Sequence, residues 1–241
     1  MKLKLVYDKI NYINPVFIDA GLNFYMAKIT WAGQSCFQIS VSNSKDHQAE
    51  IVIDPFDEKI GLKLPNLSSD ILLITHDHYD HSNVKGVKGD PFIINSPGEY
   101  EVKGIFIQGI PSFHDDKEGE GNTIYTIEAE GMRICHLGDL GQKQLTDDQL
   151  NKIGTVDVLM IPVGGTYTIS SAEAPKIIGQ IDPKIIIPMH FGLPKLKVEL
   201  DDVGKFLKAM GKNSSEEIDK LTVKVATLPK EGQTEIVVLK P

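Results

Sequence analysis

Three histidines, His76, His78 and His81, fall within six residues of the segment THDHYDHSN (75–83), and Asp80 sits between the last two. Neutral imidazoles and carboxylates are ligands that zinc, iron and manganese all accept. Ligands at i and i+2 in an extended turn can grip one ion, and residues at i+4 and i+5 then turn toward a second position a few Å away. A full coordination set needs donors from elsewhere, and three candidates follow strand-like runs. His114 follows GIFIQGIPSF, Asp139 follows MRIC in HLGDLG, and His190 ends IIIPMH. Taken singly, His114 also reads as a surface-loop histidine, Asp139 as a turn residue between glycines, and His190 as a half-buried core histidine. Taken with the first cluster, all three read as one metal site. Its chemistry would be water activation, since a bound divalent ion lowers the pKa of water from 15.7 to about 7.

The remaining reactive side chains carry less. His136 ends a strand three residues before Asp139 and reads as a brace for the site more than a member of it. Tyr167, in a glycine-preceded loop, reads equally as a substrate contact or a cover for the core. Trp31 reads as core, and His47, in the polar turn SNSKDHQ, as surface. Cys36 and Cys135 are too few for a disulfide framework, and no CxxC is present for a zinc ribbon. Both lie in apolar runs and read as buried reduced thiols, with a disulfide or a reactive thiol as the alternative. A cytoplasmic location fits that usage.

The elements that must position these residues are mostly strands. From Met26 onward, short runs rich in Val, Ile, Tyr and Phe alternate with turns. KITWAG (28–33) and SCFQISV (35–41) read as a hairpin, followed by EIVID (50–54), ILLIT (71–75), PFII (91–94), GEYEV (98–102) and GIFIQGI (104–110). TIYTIEAE (123–130), MRICHLG (132–138), VDVLMIP (156–162), KIIIPM (184–189), VKVATL (223–228) and EIVVL (235–239) complete the set. Helices are fewer and fall mainly in the second half. Thr146 with Gln149, Ser170 with Glu173, and Ser214 with Glu217 each predict a capping box opening a helix. A further helix is predicted over 199–210, with Leu200, Val203, Phe206, Leu207 and Met210 on a core-facing side. Residues 1–25 show no clean periodicity and read either as an edge strand or as an extension upstream of Met26.

Composition narrows the partners. The chain has 241 residues, with 25 Lys and Arg against 33 Asp and Glu, a net charge of −8. That balance argues against a broad nucleic-acid or anionic-membrane surface, which needs a basic field. Apolar runs such as ILLI and IIIPM fall far short of the roughly 18–20 residues of a membrane span, so no stable membrane insertion is expected. The MKLK start does not make an export signal, because Asp8, Lys9 and Asn11 interrupt any apolar region. A small-molecule substrate is the partner that remains. Oligomeric state is not legible.

In order, Asp54 in VIDPF, HxHxDH at 76–81, His114, Asp139 and His190 resemble the motifs of the metallo-β-lactamase superfamily over residues 28–239. The resemblance implies an α/β fold, a four-layer αββα sandwich with mixed sheets, as a single domain over 26–241. It implies two divalent metal ions, zinc first, with Mn2+ or Fe2+ possible. His76, His78 and His114 would hold one ion, Asp80, His81 and His190 the other, and Asp139 would bridge them, while Asp54 would brace the loop. It implies a metal-dependent hydrolase whose bridging hydroxide attacks an ester, lactone or phosphodiester, with Asp80 as the catalytic residue that orients the nucleophile and accepts its proton. Aspartate at 139, where the antibiotic-degrading zinc enzymes have Cys, fits dinuclear hydrolases. His78 in place of Glu, together with Asp80, argues against the flavodiiron oxidoreductases. The HxHYDH form with Tyr79, HLGDLG and PVGGTYT (162–168) are similar to the branch that contains ascorbate-6-phosphate lactonase and N-acyl-phosphatidylethanolamine phospholipase D. The alternative is a metal-binding or sensory protein that uses the same fold without turnover.

Overall fold

Alternation of buried and open positions makes the first strand a sheet element: Ala27, Ile29, Trp31 and Gly33 are buried, and Lys28 between the first two is exposed. The computed structural model describes residues 26–44, 47–114 and 119–241. The readings of residues 1–25 and of the His47 side chain lie outside what is described.

Strands of two large sheets follow in chain order. The first sheet opens with β1 (Ala27–Gly33), β2 (Cys36–Ser44), β3 (His47–Ile53), β4 (Ile71–Leu73) and β5 (Phe92–Ile94). The second is formed by β6 (Gly98–Val102), β7 (Ile105–Phe113), β8 (Gly121–Ala129), β9 (Met132–His136), β10 (Val158–Pro162) and β11 (Ile185–Met189). Near the C-terminus β12 (Leu221–Val223) returns to the first sheet, and β13 (Glu235–Ile236) to the second. The spatial orders are β12-β1-β2-β3-β4-β5 and β13-β11-β10-β9-β8-β7-β6. Each sheet is mixed. β1, β2 and β3 pair antiparallel, whereas β3, β4 and β5 are parallel. β6 to β9 are antiparallel, and β9, β10, β11 and β13 parallel.

One apolar core joins the sheets, with Ile29, Ile39, Ile51 and Ile71 from the first and Ile107, Ile127 and Ile134 from the second. The alternate residues Cys36, Val52 and Leu72 face the other way and form a separate cluster with Phe56, Ile60 and Leu67. This outer layer is the 54–70 segment with its single 3-10 turn, Glu58–Ile60. The helices α1 (Asp147–Ile153), α2 (Ala174–Ile181) and α3 (Val203–Ala209) all lie in the second half. α2 buries Ala174, Ile177, Ile178 and Ile181, the one-face spacing of an amphipathic helix. β10 and β11 are buried at every position, as parallel strands covered on both faces must be. The architecture is therefore the expected α/β sandwich of mixed sheets, with few and short helices among the described residues. No helix among them is long and apolar enough to cross a membrane. Both cysteines are free and buried, and burial pushes the Cys135 thiol up to about 12.

The local signals fared unequally. Thr146 and Gln149 form the capping box that opens α1. Ser170 donates to the Glu173 carboxylate from both its N–H and its hydroxyl, but in a turn that precedes α2, which starts at Ala174. The helix predicted over 199–210 is confined to Val203–Ala209, because Gly192 and Gly164 tie Asp201 into an extended segment. No helix follows Ser214. Glu217–Ile218 is instead a short strand paired in parallel with Val238–Leu239, and Ile218 packs on the core. Long-range pairing there overrides a local capping signal. The strand predicted over 223–228 ends at Val223, and a 3-10 turn spans Val225–Thr227.

Candidate metal centre

Every candidate donor leaves the same edge of the sandwich. β3 and β4 are parallel, so Asp54 and the Thr75–His81 loop emerge together at their C-terminal ends. β9 and β11 deliver Asp139 and His190 from the C-terminal ends of the parallel part of the second sheet. β7 runs in the same sense as β9, because both are antiparallel to β8, and it ends at Phe113 just before His114. The carboxyl ends of parallel strands are where open α/β sheets carry their ligands. Two contacts fix the histidine loop against the second sheet: Tyr125 donates its hydroxyl to Ile74 O at 2.9 Å, and Thr123 N donates to Thr75 O at 2.9 Å.

The buried Asp54 carboxylate organises that loop. Its Oδ1 accepts from Thr75 N at 2.8 Å, and its Oδ2 accepts from the Thr75 hydroxyl at 2.7 Å and from His81 Nδ1 at 3.0 Å. The Thr75 proton is thus spent on Asp54, so Thr75 Oγ1 accepts from His76 Nδ1, 2.9 Å away. His76 is left with a lone pair on Nε2. His78 Nε2 lies 2.6 Å from Glu120 Oε1 and donates to it, so the neutral ring, the form that ligates a metal, carries its lone pair on Nδ1. His76 Nε2 and His78 Nδ1 stand 3.0 Å apart, so with both rings neutral two lone pairs face one another. Neutral imidazoles do not approach this way on their own account; a shared cation is what that geometry suits. Burial, helped by neighbouring His81, also pushes the His76 pKa down to about 3, so this ring is a neutral donor.

The second half of the site is carboxylate-rich. Asp139 Oδ2 is 3.1 Å from His81 Nε2, 3.2 Å from His190 Nε2 and 3.5 Å from His114 Nε2. Asp80 Oδ2 is 3.6 Å from His81 Nε2. Burial alone would raise the Asp139 carboxyl, but the charges of His190 and His81 outweigh it and hold the group well below the usual range. Burial likewise opposes a charged His81, yet Asp139 and Asp54 together lift its pKa well above the ordinary value. For Asp80 burial is outweighed by the contact with His81, and for His114 by the hydrogen bond to Asp139. His81 Nε2 is nonetheless buried without an aligned hydrogen-bond partner. A buried nitrogen aimed at two carboxylates, with its other nitrogen bonded to Asp54, fits a cation between them.

The donor atoms fall into three sets, each within 4.8 Å: His76, His78 and His114; His76, His81 and Asp139; Asp80, His81 and His190. The structure thus brings together all seven candidates from the sequence. Five of them, His78, Asp80, His114, Asp139 and His190, line a cleft of about 760 Å3, whose other walls include Tyr79, Glu120, Thr166, Tyr167, Lys197 and Glu199. Tyr79 and Tyr167 are among the large side chains left exposed. His136 stays outside the donor sets. Its Nδ1 accepts from Gly138 N at 3.0 Å, so Nε2 carries the proton donated to Ser35 O at 2.9 Å. Trp31 is core, packed 4.8 Å from the Phe191 ring.

Sequence reasoning missed four polar residues that touch the donors. Glu120 meets His78, and Asn122 Oδ1 accepts from Asp139 N at 3.1 Å. Gln34 and Ser35 reach Asp80 and Asp139. One signal was available: a polar Gln-Ser pair directly after a glycine, at a turn between apolar strands. Gly138 shows how tight the supports are, since φ is +57° and a Cβ there would lie 2.3 Å from Asn122 Oδ1 and 2.9 Å from Thr75.

The β-lactamase superfamily domain matches residues 28–190, and the chain belongs to the metallo-β-lactamase superfamily. It is 30% identical over 198 residues to a UPF0173 metal-dependent hydrolase of Thermococcus onnurineus, covering 69% of this chain and 85% of that protein. A Thermotoga maritima crystal structure, of a candidate zinc-dependent hydrolase of the superfamily, superposes with a TM-score of 0.70 at 37% identity, over 90% of this chain and 100% of that one. The metallo hydrolase Igni18 of Ignicoccus hospitalis shares the fold, with a TM-score of 0.60 at 22% identity over 83% of this chain and 99% of its own.

Proposed function

We propose that this protein is a metal-dependent hydrolase with a dinuclear site, acting on an ester, lactone or phosphodiester of a small molecule. The facing lone pairs of His76 Nε2 and His78 Nδ1, 3.0 Å apart beside the Asp139 carboxylate, carry this reading. The superfamily membership and the relatives described as metal-dependent hydrolases support it. His76, His78 and His114 would hold one divalent cation, and Asp80, His81 and His190 the other, with the Asp139 carboxylate available to both. Zinc is the first choice, and manganese or iron(II) also suits nitrogen and oxygen donors without thiolate. Such cations supply a nucleophilic hydroxide at neutral pH and Lewis-acid stabilisation of the developing oxyanion.

The chain's own residues do the rest. Asp80 is ionised at neutral pH, held there by His81, and its carboxylate orients the attacking water and takes its proton. The cleft of about 760 Å3 has the size of a small-molecule site. Tyr79 and Tyr167 at its rim contact the substrate. The two free cysteines suit a reducing, cytoplasmic setting.

The test is metal content per chain on protein purified without added metal, paired with turnover of bis(p-nitrophenyl) phosphate and of a simple lactone. Two equivalents with chelator-sensitive turnover is the expected result, and the better substrate chooses between phosphodiester and ester chemistry. Two equivalents without turnover on a wider ester panel would favour the binding role. No metal after reconstitution would overturn the reading.

A further inference from the structure

The turn between β1 and β2 carries two side chains into the site, each on a different carboxylate. Gln34 Nε2 donates to Asp80 Oδ2 at 3.2 Å and lies 3.0 Å from His190 Nε2. Ser35 Oγ donates to Asp139 Oδ1 at 3.0 Å. That bond takes up Oδ1, so Oδ2 is the oxygen left to face His81, His114 and His190.

Several features show that the backbone is bent to deliver these groups. The β1–β2 register slips between Trp31 and Gly33, a bulge of the kind that re-aims a side chain beside a site. Gln34 then adopts φ +54°, a left-handed conformation that few non-glycine residues hold. Its carbonyl is tied down twice, by Trp31 Nε1 at 2.9 Å and by His190 N at 3.0 Å. Its side chain is fully buried, and Oε1 has no hydrogen-bond partner. A buried amide satisfied on its nitrogen alone, on a strained backbone, is costly unless that nitrogen serves the site.

We infer that Gln34 is a positioning residue for the Asp80–His81–His190 cation site, and that Ser35 positions Asp139 for both sites. The inference rests on the two-cation reading above. It requires the two residues to act differently. Gln34 touches only Asp80 and His190 among the donors, so its loss is confined to one site. Ser35 acts through the carboxylate that reaches histidines of both.

The experiment is competition of Zn2+ against a chromogenic chelator on metal-stripped wild type, Gln34→Met and Ser35→Ala, with Co2+ absorption following each equivalent. Melting of the metal-stripped proteins checks the fold, and Gln34→Leu replaces Gln34→Met if that variant does not fold. Loss of a partner to a metal ligand typically weakens binding 10–100-fold. In Gln34→Met one equivalent weakens by about that factor while the other stays within about twofold, whereas in Ser35→Ala both weaken. Two wild-type-like equivalents in Gln34→Met, or an equal loss of both, would overturn the role of Gln34. Unchanged binding in Ser35→Ala would overturn that of Ser35. A wild type that takes fewer than two equivalents would instead overturn the two-cation reading itself.

Discussion

His76, His78 and His114 form an all-histidine donor group in which His76 and His114 are buried, whereas the His78 side chain is 36% exposed and its partner Glu120 54%. In the group of Asp80, His81 and His190 the His81 side chain is fully buried and that of His190 almost so, with the fully buried Asp54 behind His81, and Asp80 is the more open member. For His76 and a neutral His78, hydrogen bonds fix which nitrogen offers its lone pair. In the second group, negative charge dominates, with Asp80 and Asp139 both held ionised by the histidines around them. On the proposed two-cation reading, the histidine loop contributes to two kinds of site, one set by choice of tautomer and one by charge. The carboxylate-rich group should therefore tolerate substitution less, because a buried charge left unpaired costs more than an exposed imidazole left mis-oriented.

Removing what the two groups share should erase the contrast. Asp139→Ala takes the carboxylate from His81, His114 and His190 at once, so both equivalents of metal should be lost and kcat/KM should fall by roughly three orders of magnitude. Metal analysis alongside turnover reads this out, and a variant that kept both ions and full turnover would show that the site is drawn wrongly.

Asp54→Asn attacks both groups from behind, since one carboxylate orients His81 directly and His76 through Thr75. Each equivalent should weaken by about 10–100-fold in the same chelator competition. Weakening of only one would mean that the Thr75 relay does not matter.

The metal-stripped protein should expose the electrostatics through pH. His76 has its pKa lowered from 6.5 to about 3 in the fold, so the unfolded chain binds that proton first. Its contribution is fully present above pH 6.5 and is lost as pH falls from 6.5 toward about 3, with a slope of at most about 1.4 kcal/mol per pH unit. His81 and His114 have raised values and act with the opposite sign, losing stability as pH rises above the ordinary histidine range. Urea denaturation between pH 4 and 9 should therefore show His76→Gln less acid-sensitive than wild type. An identical acid limb would remove His76 as its source.

The smallest effect sharpens the comparison. Glu120→Gln keeps a hydrogen-bond acceptor near His78 but loses the charge, on a residue that is more than half exposed. Metal affinity in the three-histidine group should fall by less than about tenfold, with the carboxylate-rich group unchanged. A large drop in both would mean that Glu120 supports more than the His78 tautomer.

Much of this was legible in the chain. Period-two alternation in AKITWAG and unbroken apolar runs such as ILL and IIIPM mark half-buried and doubly covered strands. The donors stand out because histidines and aspartates directly after such runs have little structural reason to be there. Capping boxes were a weaker guide: Thr146 opened a helix, Ser170 only a turn, and Ser214 neither. A cap contributes about 1 kcal/mol, and the pairing of Glu217–Ile218 with a strand twenty residues later outweighs it.

The sequence by itself determined the donor types, their spacing and the strands that carry them, because those depend on local periodicity and on ligand chemistry. The tertiary structure decided which nitrogen of each histidine faces the site, which oxygen of Asp139 is free, and that a hairpin turn at Gln34 and Ser35 serves it. Those choices rest on contacts between residues 46, 104 and 156 positions apart, and separations of that size leave no trace in a local pattern. They exist only once two sheets are packed with their strand ends on one edge.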